Sequence, residues 1–402
     1  MVSADGRKVI SYNGEVYNYI ELRDELRARG HTFRTNSDTE VVLVGYQEWG
    51  PEVASRIVGM FAVAIYDRLE QTMYLARDRF GEKPLLVAGG SHELIFASEL
   101  APITAILPGT REINEQALAS YLCLNYVPGL NTMMRGVERV GPGEWRVYGV
   151  DGLIRRSSYW CPPVTPISDS VVREDDVVDA LQERLDRATR ITLRSDVPVG
   201  LFLSGGIDSS LVAESAVRQG RLTCAFCVDM DEEGFSEWPA ATRVATHLGL
   251  DLVRVPFSAD VLDEFVTVAA HLDDPLADSS AMAVWTVARQ AARRLKVVLS
   301  GDGGDELFGG YLTYAASAAH KHLTTVIPSR LRRMLSRAAA WVPQDDHQKV
   351  SGSYKLQRFL RGLELPTAEA HFTWNGTWLP REAAHLIRGD GETVRSTLRR
   401  LA

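Results

Sequence analysis

The chain has few cysteines and no long apolar run. Only four of its 402 residues are cysteine, which is too few for a disulfide framework and is typical of a protein in a reducing compartment. No stretch approaches the roughly 18 consecutive apolar residues of a membrane span, and the first residues lack the apolar segment of a secretory signal. We therefore predict a cytoplasmic protein with no membrane partner.

An excess of basic charge is also missing. The chain carries 44 Lys and Arg residues against 52 Asp and Glu residues, a formal net charge of −8. This acidic balance argues against a nucleic-acid partner. The composition, 45% hydrophobic and 24% charged, is that of an ordinary globular protein, and the length favours two domains.

The hydrophobic pattern changes along the chain. The first half predicts an α+β domain, with short alternating strands over 9–12, 61–66, 72–76, 85–88 and 94–97 and a possible hairpin over 137–148. The second half alternates apolar strands with amphipathic helices, which is typical of a doubly wound parallel sheet. Its strands are predicted over 199–203, 223–228, 252–255 and 297–299. A Pro-rich break follows Cys161, so we predict domains at 1–160 and 173–402, joined by a linker at 161–172.

An anion-binding loop is predicted after the first apolar strand of the second half. The segment Ser204-Gly205-Gly206-Ile207-Asp208-Ser209 leads from this strand into a helix. Backbone N–H groups at a Gly-Gly turn and at a helix start attract phosphate. Asp208 would repel phosphate unless Mg²⁺ lies between the two anions. A purely structural turn is the alternative, but the complete motif favours a phosphate site.

A second glycine-rich loop follows another apolar strand. It runs from Ser300 to Tyr311 and contains five glycines together with Asp302 and Asp305. Parallel strands bring their carboxyl ends to one edge, so this loop is expected beside Asp208. We predict that Asp208 and Asp305 share a Mg²⁺ ion bound to pyrophosphate. A solvated turn is the alternative for these acids.

Cys224 and Cys227 have the spacing of a redox or zinc motif. They are predicted to lie on one strand, where residues three apart face opposite sides. No second cysteine pair and no suitably spaced histidine accompany them. Core packing is therefore the favoured interpretation.

The two loops resemble those of known enzymes. Ser204–Ser209 resembles the pyrophosphate loop of ATP pyrophosphatases, and Ser300–Tyr311 resembles asparagine synthetases in particular. The resemblance implies that ATP adenylates the side-chain carboxylate of aspartate and that ammonia then displaces AMP. It implies a catalytic role for Asp302 in forming the acyl-adenylate and a place near aspartate for the segment 274–279. It also implies ATP contacts at Leu203, Ser204, Gly205, Gly206, Asp208, Ser209, Val228, Ser300 and Gly301.

The front half resembles the class II glutamine amidotransferases, which have an Ntn-type sandwich. The matching segments are 11–18, 77–85 and 96–99. The resemblance implies that Asn13 and Gly14 form a catalytic oxyanion hole, where an amide and a backbone N–H suit a thioester intermediate. It implies that these two residues bind glutamine together with Glu15 and Asp38, whose carboxylates suit the α-ammonium group.

The chain departs from this family at both ends. The family nucleophile is an N-terminal cysteine, whereas residues 1 and 2 here are Met and Val, and the four cysteines lie elsewhere. The Asp, Arg and Pro-rich acceptor segment and the catalytic lysine of the family are not found before Ala402. We therefore expect a family member truncated at both ends, without glutaminase activity.

The predicted function is that of an asparagine synthetase. Its cofactors would be ATP and Mg²⁺, and its partners would be aspartate and glutamine or ammonia, with a homodimer possible. An ATP-dependent amide or lactam ligase of specialised metabolism is one alternative. A catalytically inactive nucleotide-binding fragment is the other.

Overall fold

The chain divides into two compact units. A computed structural model describes residues 1–90, 93–107, 112–163, 173–230, 234–258, 263–342 and 352–387. Unit 1 comprises Met1–Asn114 and Gly129–Ala180, and unit 2 comprises Glu115–Pro128 and Leu181–Ala402. Residues 164–172 of the predicted linker and 388–402 of the predicted second domain lie outside the described residues.

Strands and helices are numbered in chain order. The strands are β1 (Lys8–Val16), β2 (Gly59–Asp67), β3 (Thr72–Arg77), β4 (Leu86–Ala88), β5 (Ile95–Ala97), β6 (Val137–Arg139), β7 (Glu144–Gly149), β8 (Gly152–Ser158), β9 (Val199–Phe202), β10 (Leu222–Met230), β11 (Leu252–Phe257) and β12 (Val297–Leu299). The helices are α1 (Tyr19–Ala28), α2 (Asp38–Trp49), α3 (Val53–Arg56), α4 (Leu100–Ile106), α5 (Glu115–Leu124), α6 (Glu174–Thr192), α7 (Ile207–Arg218), α8 (Trp238–Leu248), α9 (Phe265–His271), α10 (Ser280–Ala291), α11 (Gly304–Phe308), α12 (Leu312–Val326), α13 (Ser329–Ala338), α14 (Gly352–Gly362), α15 (Thr367–Asn375) and α16 (Pro380–Leu386).

Unit 1 stacks two antiparallel sheets between helices. One sheet has the order β1-β2-β3-β7-β8 and the other has the order β5-β4-β6. Side chains alternate along β2: Phe61, Val63 and Ile65 pack towards α1 and α2. Ala62 and Ala64 pack towards the smaller sheet, whose other face is covered by α4. This layering is the sandwich that the resemblance to the amidotransferases implies.

The predicted hairpin over 137–148 is wrong. β6 pairs with β4, whereas β7 pairs with β3 and β8. The connection passes from one sheet to the other, and Val140 on it lies fully buried between the two sheets. Burial of this segment, rather than a turn signal, determines which strands pair.

Unit 2 is built on a parallel sheet with the order β11-β10-β9-β12. Apolar side chains cover both of its faces, so the predicted combination of a sandwich and a doubly wound parallel sheet is confirmed. Cys224 and Cys227 lie on opposite faces of β10. Burial raises the pKa of Cys227 to about 12, as expected for a core thiol. None of the described helices is both long and apolar enough to cross a membrane.

Asp78 fixes the turn that follows β3. Its buried carboxylate accepts hydrogen bonds from the backbone N–H groups of Phe61, Phe80, Glu82 and Lys83 at 2.9–3.2 Å. Arg77 beside it donates to the carbonyl oxygens of Lys83, Gly81 and Val140. The segment 77–85, which matches the amidotransferases, therefore fixes the course of the backbone after β3.

We expect Asp78→Asn to lower the free energy of unfolding of unit 1 by at least about 2 kcal/mol. A neutral amide cannot accept four N–H bonds, and each buried donor left without a partner is costly. Urea unfolding measures the effect. Asp24→Asn on α1, where the carboxylate is 67% exposed, should change stability by less than about 0.5 kcal/mol. Equal stability of the two variants would contradict the role assigned to Asp78.

Candidate functional sites

Asn13 and Gly14 lie inside a strand. The predicted end of the first strand at Tyr12 is wrong, because β1 continues to Val16 and pairs with β2 along its whole length. A Cβ atom on Gly14 would lie 2.2 Å from the carbonyl oxygen of Met60. Glycine at this position lets the two backbones approach closely, so pairing extends past the motif.

The side chain of Asn13 is exposed at the surface of unit 1. Its Nδ2 donates to Ser98 Oγ at 3.1 Å. Ser98 follows β5 in the segment 96–99, which also matches the amidotransferases. The structure therefore brings together two of the segments that match the amidotransferases, 11–18 and 96–99.

Asp38 is the first residue of α2 and joins that helix to β1. Its Oδ2 accepts from the Tyr12 hydroxyl and from the backbone N–H of Val16, each at 3.0 Å. Burial, together with the Asp38 carboxylate, raises the pKa of Tyr12 above its ordinary value. Tyr12 therefore stays protonated and keeps donating to Asp38. Glu15 is half-buried on β1, one residue before Val16.

The two glycine-rich loops meet at one edge of the parallel sheet. β9 and β12 are hydrogen-bonded neighbours, with Leu201 opposite Leu299. A Cβ atom on Gly301 would lie 2.7 Å from the backbone nitrogen of Ser209, and one on Gly304 would lie 2.4 Å from Asp208 Cγ. The loops therefore pack directly against each other, and side chains at 301 and 304 would separate them.

The loop between β9 and α7 is held by its own hydroxyl groups. Ser204 Oγ lies 3.0 Å from Ser209 Oγ and accepts from the backbone N–H of Gly206. Gly205 has φ +75°, and a Cβ there would lie 2.5 Å from the backbone nitrogen of Ala241. No side chain of the described residues caps α7 at Gly206, so the N–H groups at the helix start can face an anion.

Two carboxylates of these loops have no partner among the described residues. Neither the side chain of Asp208 nor that of Asp305 accepts a hydrogen bond from, or pairs with a cation of, the part of the chain that the structure describes. Described His, Cys, Asp and Glu residues form no group of three that could hold a metal by themselves. Two free carboxylates on adjoining loops do fit a Mg²⁺ ion that takes its other ligands from substrate phosphates and water. Asp302 is exposed and accepts from Ser300 Oγ at 2.9 Å.

Leu203 and Val228 differ in which of their atoms could contact a nucleotide. Leu203 is buried in the core of unit 2, and its backbone N–H donates to the carbonyl oxygen of Phe226. Val228 is half-buried on β10, opposite Val255. A contact from Leu203 would therefore be through its backbone.

Asp229 is a residue at this edge that the sequence reasoning missed. It is buried on β10 and accepts from Ser236 Oγ and from Arg254 Nε, each at 2.5 Å. The hydrogen bond from Ser236, followed by the one from Arg254, holds the pKa of Asp229 below its ordinary value. An acid directly after the apolar part of a strand was the available signal.

Asn125 is a second residue that the sequence reasoning missed. It follows α5 with a left-handed φ of 69°, and its carbonyl oxygen accepts from the backbone N–H of Ala277 at 2.8 Å. Its side chain bonds the carbonyl oxygen of Asn375 and the hydroxyl of Thr377. Asn125 thereby anchors the segment 274–279 to the helices of unit 2.

Known families match both units. The profile of a glutamine amidotransferase domain matches residues 1–160, and that of asparagine synthase matches residues 180–388. Asparagine synthetase 1 (glutamine-hydrolyzing) of Bacillus subtilis is 38% identical over 336 residues, which is 83% of this chain and 52% of the relative. Asparagine synthetase 3 (glutamine-hydrolyzing) of the same organism is 31% identical over 322 residues, 75% of this chain and 51% of the relative.

A fungal relative has a different name. Amidase chry2 of Gibberella zeae is 30% identical over 325 residues, covering 76% of this chain and 48% of that protein. The chain thus spans about half the length of the curated relatives it matches. The two family profiles agree with the antiparallel sandwich of unit 1 and with the parallel sheet and paired glycine-rich loops of unit 2. The chain belongs to the glutamine-hydrolysing asparagine synthetase family.

Proposed function

We propose that unit 2 binds Mg-ATP and adenylates the side-chain carboxylate of aspartate. Pyrophosphate leaves in this step, and ammonia then displaces AMP to give asparagine. The observation that carries this proposal is the direct packing of the loops after β9 and β12, at Gly301 and Gly304. This packing places an uncapped helix start and two free carboxylates at one edge of the sheet.

The residues at this edge have separate tasks in the proposed reaction. The backbone at Gly205 and Gly206 and the hydroxyls of Ser204 and Ser209 would bind the pyrophosphate portion of ATP. Leu203, Val228, Ser300 and Gly301 would line the adenosine portion, and Asp302 would act in forming the acyl-adenylate. Mg²⁺ held by Asp208 and Asp305 would neutralise charge on the leaving pyrophosphate.

We propose that unit 1 keeps the glutamine pocket of an amidotransferase. Asn13 Nδ2 and the backbone N–H of Gly14 would serve as oxyanion donors, while Glu15 and Asp38 would hold the amino-acid end of glutamine. The nitrogen donor would be ammonia, which the full-length family takes from glutamine. A cytoplasmic location and a homodimer stay predictions.

A second candidate is an amide or lactam ligase that adenylates a different carboxylate. The name of Amidase chry2 shows that proteins similar to this chain are not all named asparagine synthetases, so a second candidate is kept. Pyrophosphate release that depends on aspartate supports the synthetase, whereas release only with other carboxylic acids supports the ligase. ATP binding without any pyrophosphate release would indicate a catalytically inactive nucleotide-binding protein.

We expect Asp208→Ala and Asp305→Ala each to weaken Mg-ATP binding at least about tenfold, a loss of about 1.4 kcal/mol. Each variant removes one of the two proposed metal ligands. Calorimetric titration with Mg-ATP measures the loss. Asp196→Ala, at an exposed position before β9, should bind like the unmodified chain. If Asp208→Ala and Asp305→Ala both keep the original affinity, the two carboxylates do not share a metal.

The close contact between the loops gives a second prediction. Gly304→Ala should reduce ATP affinity at least about tenfold, because the added methyl group collides with the Asp208 carboxylate. Gly352→Ala is the matched control, since a Cβ there meets no atom within 4 Å. Titration of both variants with ATP tests the packing. Unchanged affinity of Gly304→Ala would show that the loops need not touch.

We expect the purified chain to release no glutamate from glutamine. Cys123, Cys224 and Cys227 are buried, and burial raises the pKa values of their thiols, so these thiols are protonated and poorly nucleophilic at neutral pH. The fourth cysteine, Cys161, is exposed and lies outside the segments 11–18, 77–85 and 96–99. A coupled glutamate dehydrogenase assay measures glutamate release. Ammonia-dependent pyrophosphate release, followed in parallel, measures the proposed synthetase reaction. Glutamate release above a heat-inactivated sample would contradict the prediction.

A further inference from the structure

The first turns of α6 are exposed on every side. Every residue from Glu174 to Leu181 is exposed, so no side of these turns is covered by the part of the chain that the structure describes. Their apolar residues are Val177, Val178 and Leu181, which are 51%, 57% and 42% exposed. Helices in proteins gain most of their stability from packing, so a partner that covers these turns would stabilise them.

The same turns are strongly acidic. Residues 174–183 contain no Lys or Arg and carry the carboxylates of Glu174, Asp175, Asp176, Asp179 and Glu183. Within the described residues only Asp175 has an ion pair, with Arg173 at 3.7 Å. We call these five acids, together with the three apolar residues of the same turns, the acidic surface.

Helix α13 has the opposite charge. Arg330, Arg333 and Arg337 are exposed, and the spacing of three and four residues places them on one side of the helix. None of the three pairs with a carboxylate in the part of the chain that the structure describes, and residues 329–341 contain no Asp or Glu. The exposed apolar side chains beside and just after α13 are those of Leu331, Met334 and Trp341, at 42%, 60% and 88% exposure. We call these six residues the basic surface.

The basic surface has the composition of a protein interface. Arginine, tryptophan and methionine are enriched where proteins meet, and tryptophan and arginine often supply most of the binding energy. Solvation alone accounts for the arginines, but it gives no reason for a nearly fully exposed Trp341. The acidic surface offers what this surface lacks, which is carboxylates around a second group of exposed apolar side chains. Opposite charges of this kind steer association and fix its register.

We propose that the basic surface of one copy of this chain binds the acidic surface of a second copy. A polyanion would pair with the arginines of α13 but would leave the acidic turns of α6 uncovered. A second copy accounts for both surfaces, because every chain carries one of each. The contact joins two different surfaces, so it is heterologous.

The association of the whole chain tests this proposal. Light scattering after size-exclusion chromatography gives the mass over a range of protein concentrations, at low and at high salt. The basic surface is reversed in Arg330→Glu/Arg333→Glu. The acidic surface is reversed in Asp179→Lys/Glu183→Lys, which keeps the acids of the first turn of α6. Arg293→Glu/Arg294→Glu, at exposed positions after α10, is the control with the same charge change as the first variant.

We expect each surface variant alone to lose at least about tenfold in association affinity and the control to stay within about twofold. High salt should weaken association of the unmodified chain, since it screens exposed charges. An equal mixture of the two surface variants should recover the original affinity within about threefold. In this mixture the reversed α13 of one variant meets the reversed α6 of the other, and the remaining pair of surfaces is unchanged.

Three outcomes would overturn the proposal: an unmodified chain that stays monomeric up to about 100 μM, surface variants that associate like the unmodified chain, or a mixture that recovers nothing. A monomeric chain that binds heparin, with binding lost in Arg330→Glu/Arg333→Glu, would identify a polyanion as the occupant and would also overturn it. If a double variant does not fold, Trp341→Ser replaces it. A tenfold loss of association then supports the proposal, and unchanged association contradicts it.

Discussion

The edge of unit 2 where the two glycine-rich loops meet depends on one steric condition, the absence of side chains at Gly301 and Gly304. Pairing of β9 with β12 brings two loops to the same point. Only hydrogen atoms at these positions let the second loop approach the backbone of Ser209 and the side chain of Asp208. The position of Asp208, the start of α7 and the course of the loop before α11 all follow from this contact. Glycine loses more conformational entropy on folding than any other residue. Here that loss accompanies a fixed geometry of the two loops.

A glycine also permits close backbone approach in unit 1, where it extends the pairing of two strands. Gly14 lets β1 pair with β2 beyond the point where a larger residue would push the strands apart. Asp78 then fixes Phe61, the residue opposite Gly14, through its backbone N–H. Asn13 is consequently displayed from a rigid strand, which is a better platform for an oxyanion donor than a mobile turn.

The structural features that depend only on residues close together in the chain were predictable from the sequence. Apolar runs before glycine-rich loops identified β9 and β12, and the opposite faces of Cys224 and Cys227 followed from strand periodicity alone. The end of β1 was mistaken, because Asn13-Gly14 has the local chemistry of a turn and its true conformation depends on β2. Asn125 and Asp229 were missed because their roles depend on contacts with distant segments, such as Asn375 and Arg254. The grouping of α5 with α15 and α16 is likewise invisible to any local pattern.

The short strand β9 has a consequence for how unit 2 folds. It lies between β10, which follows it closely in the chain, and β12, which comes only after three further helices and another strand. Pairing with β12 must therefore close a long loop, and such non-local contacts slow folding. The edge that would bind nucleotide is completed only with this pairing. A bound nucleotide would accordingly favour the fully assembled sheet over partly folded forms by mass action.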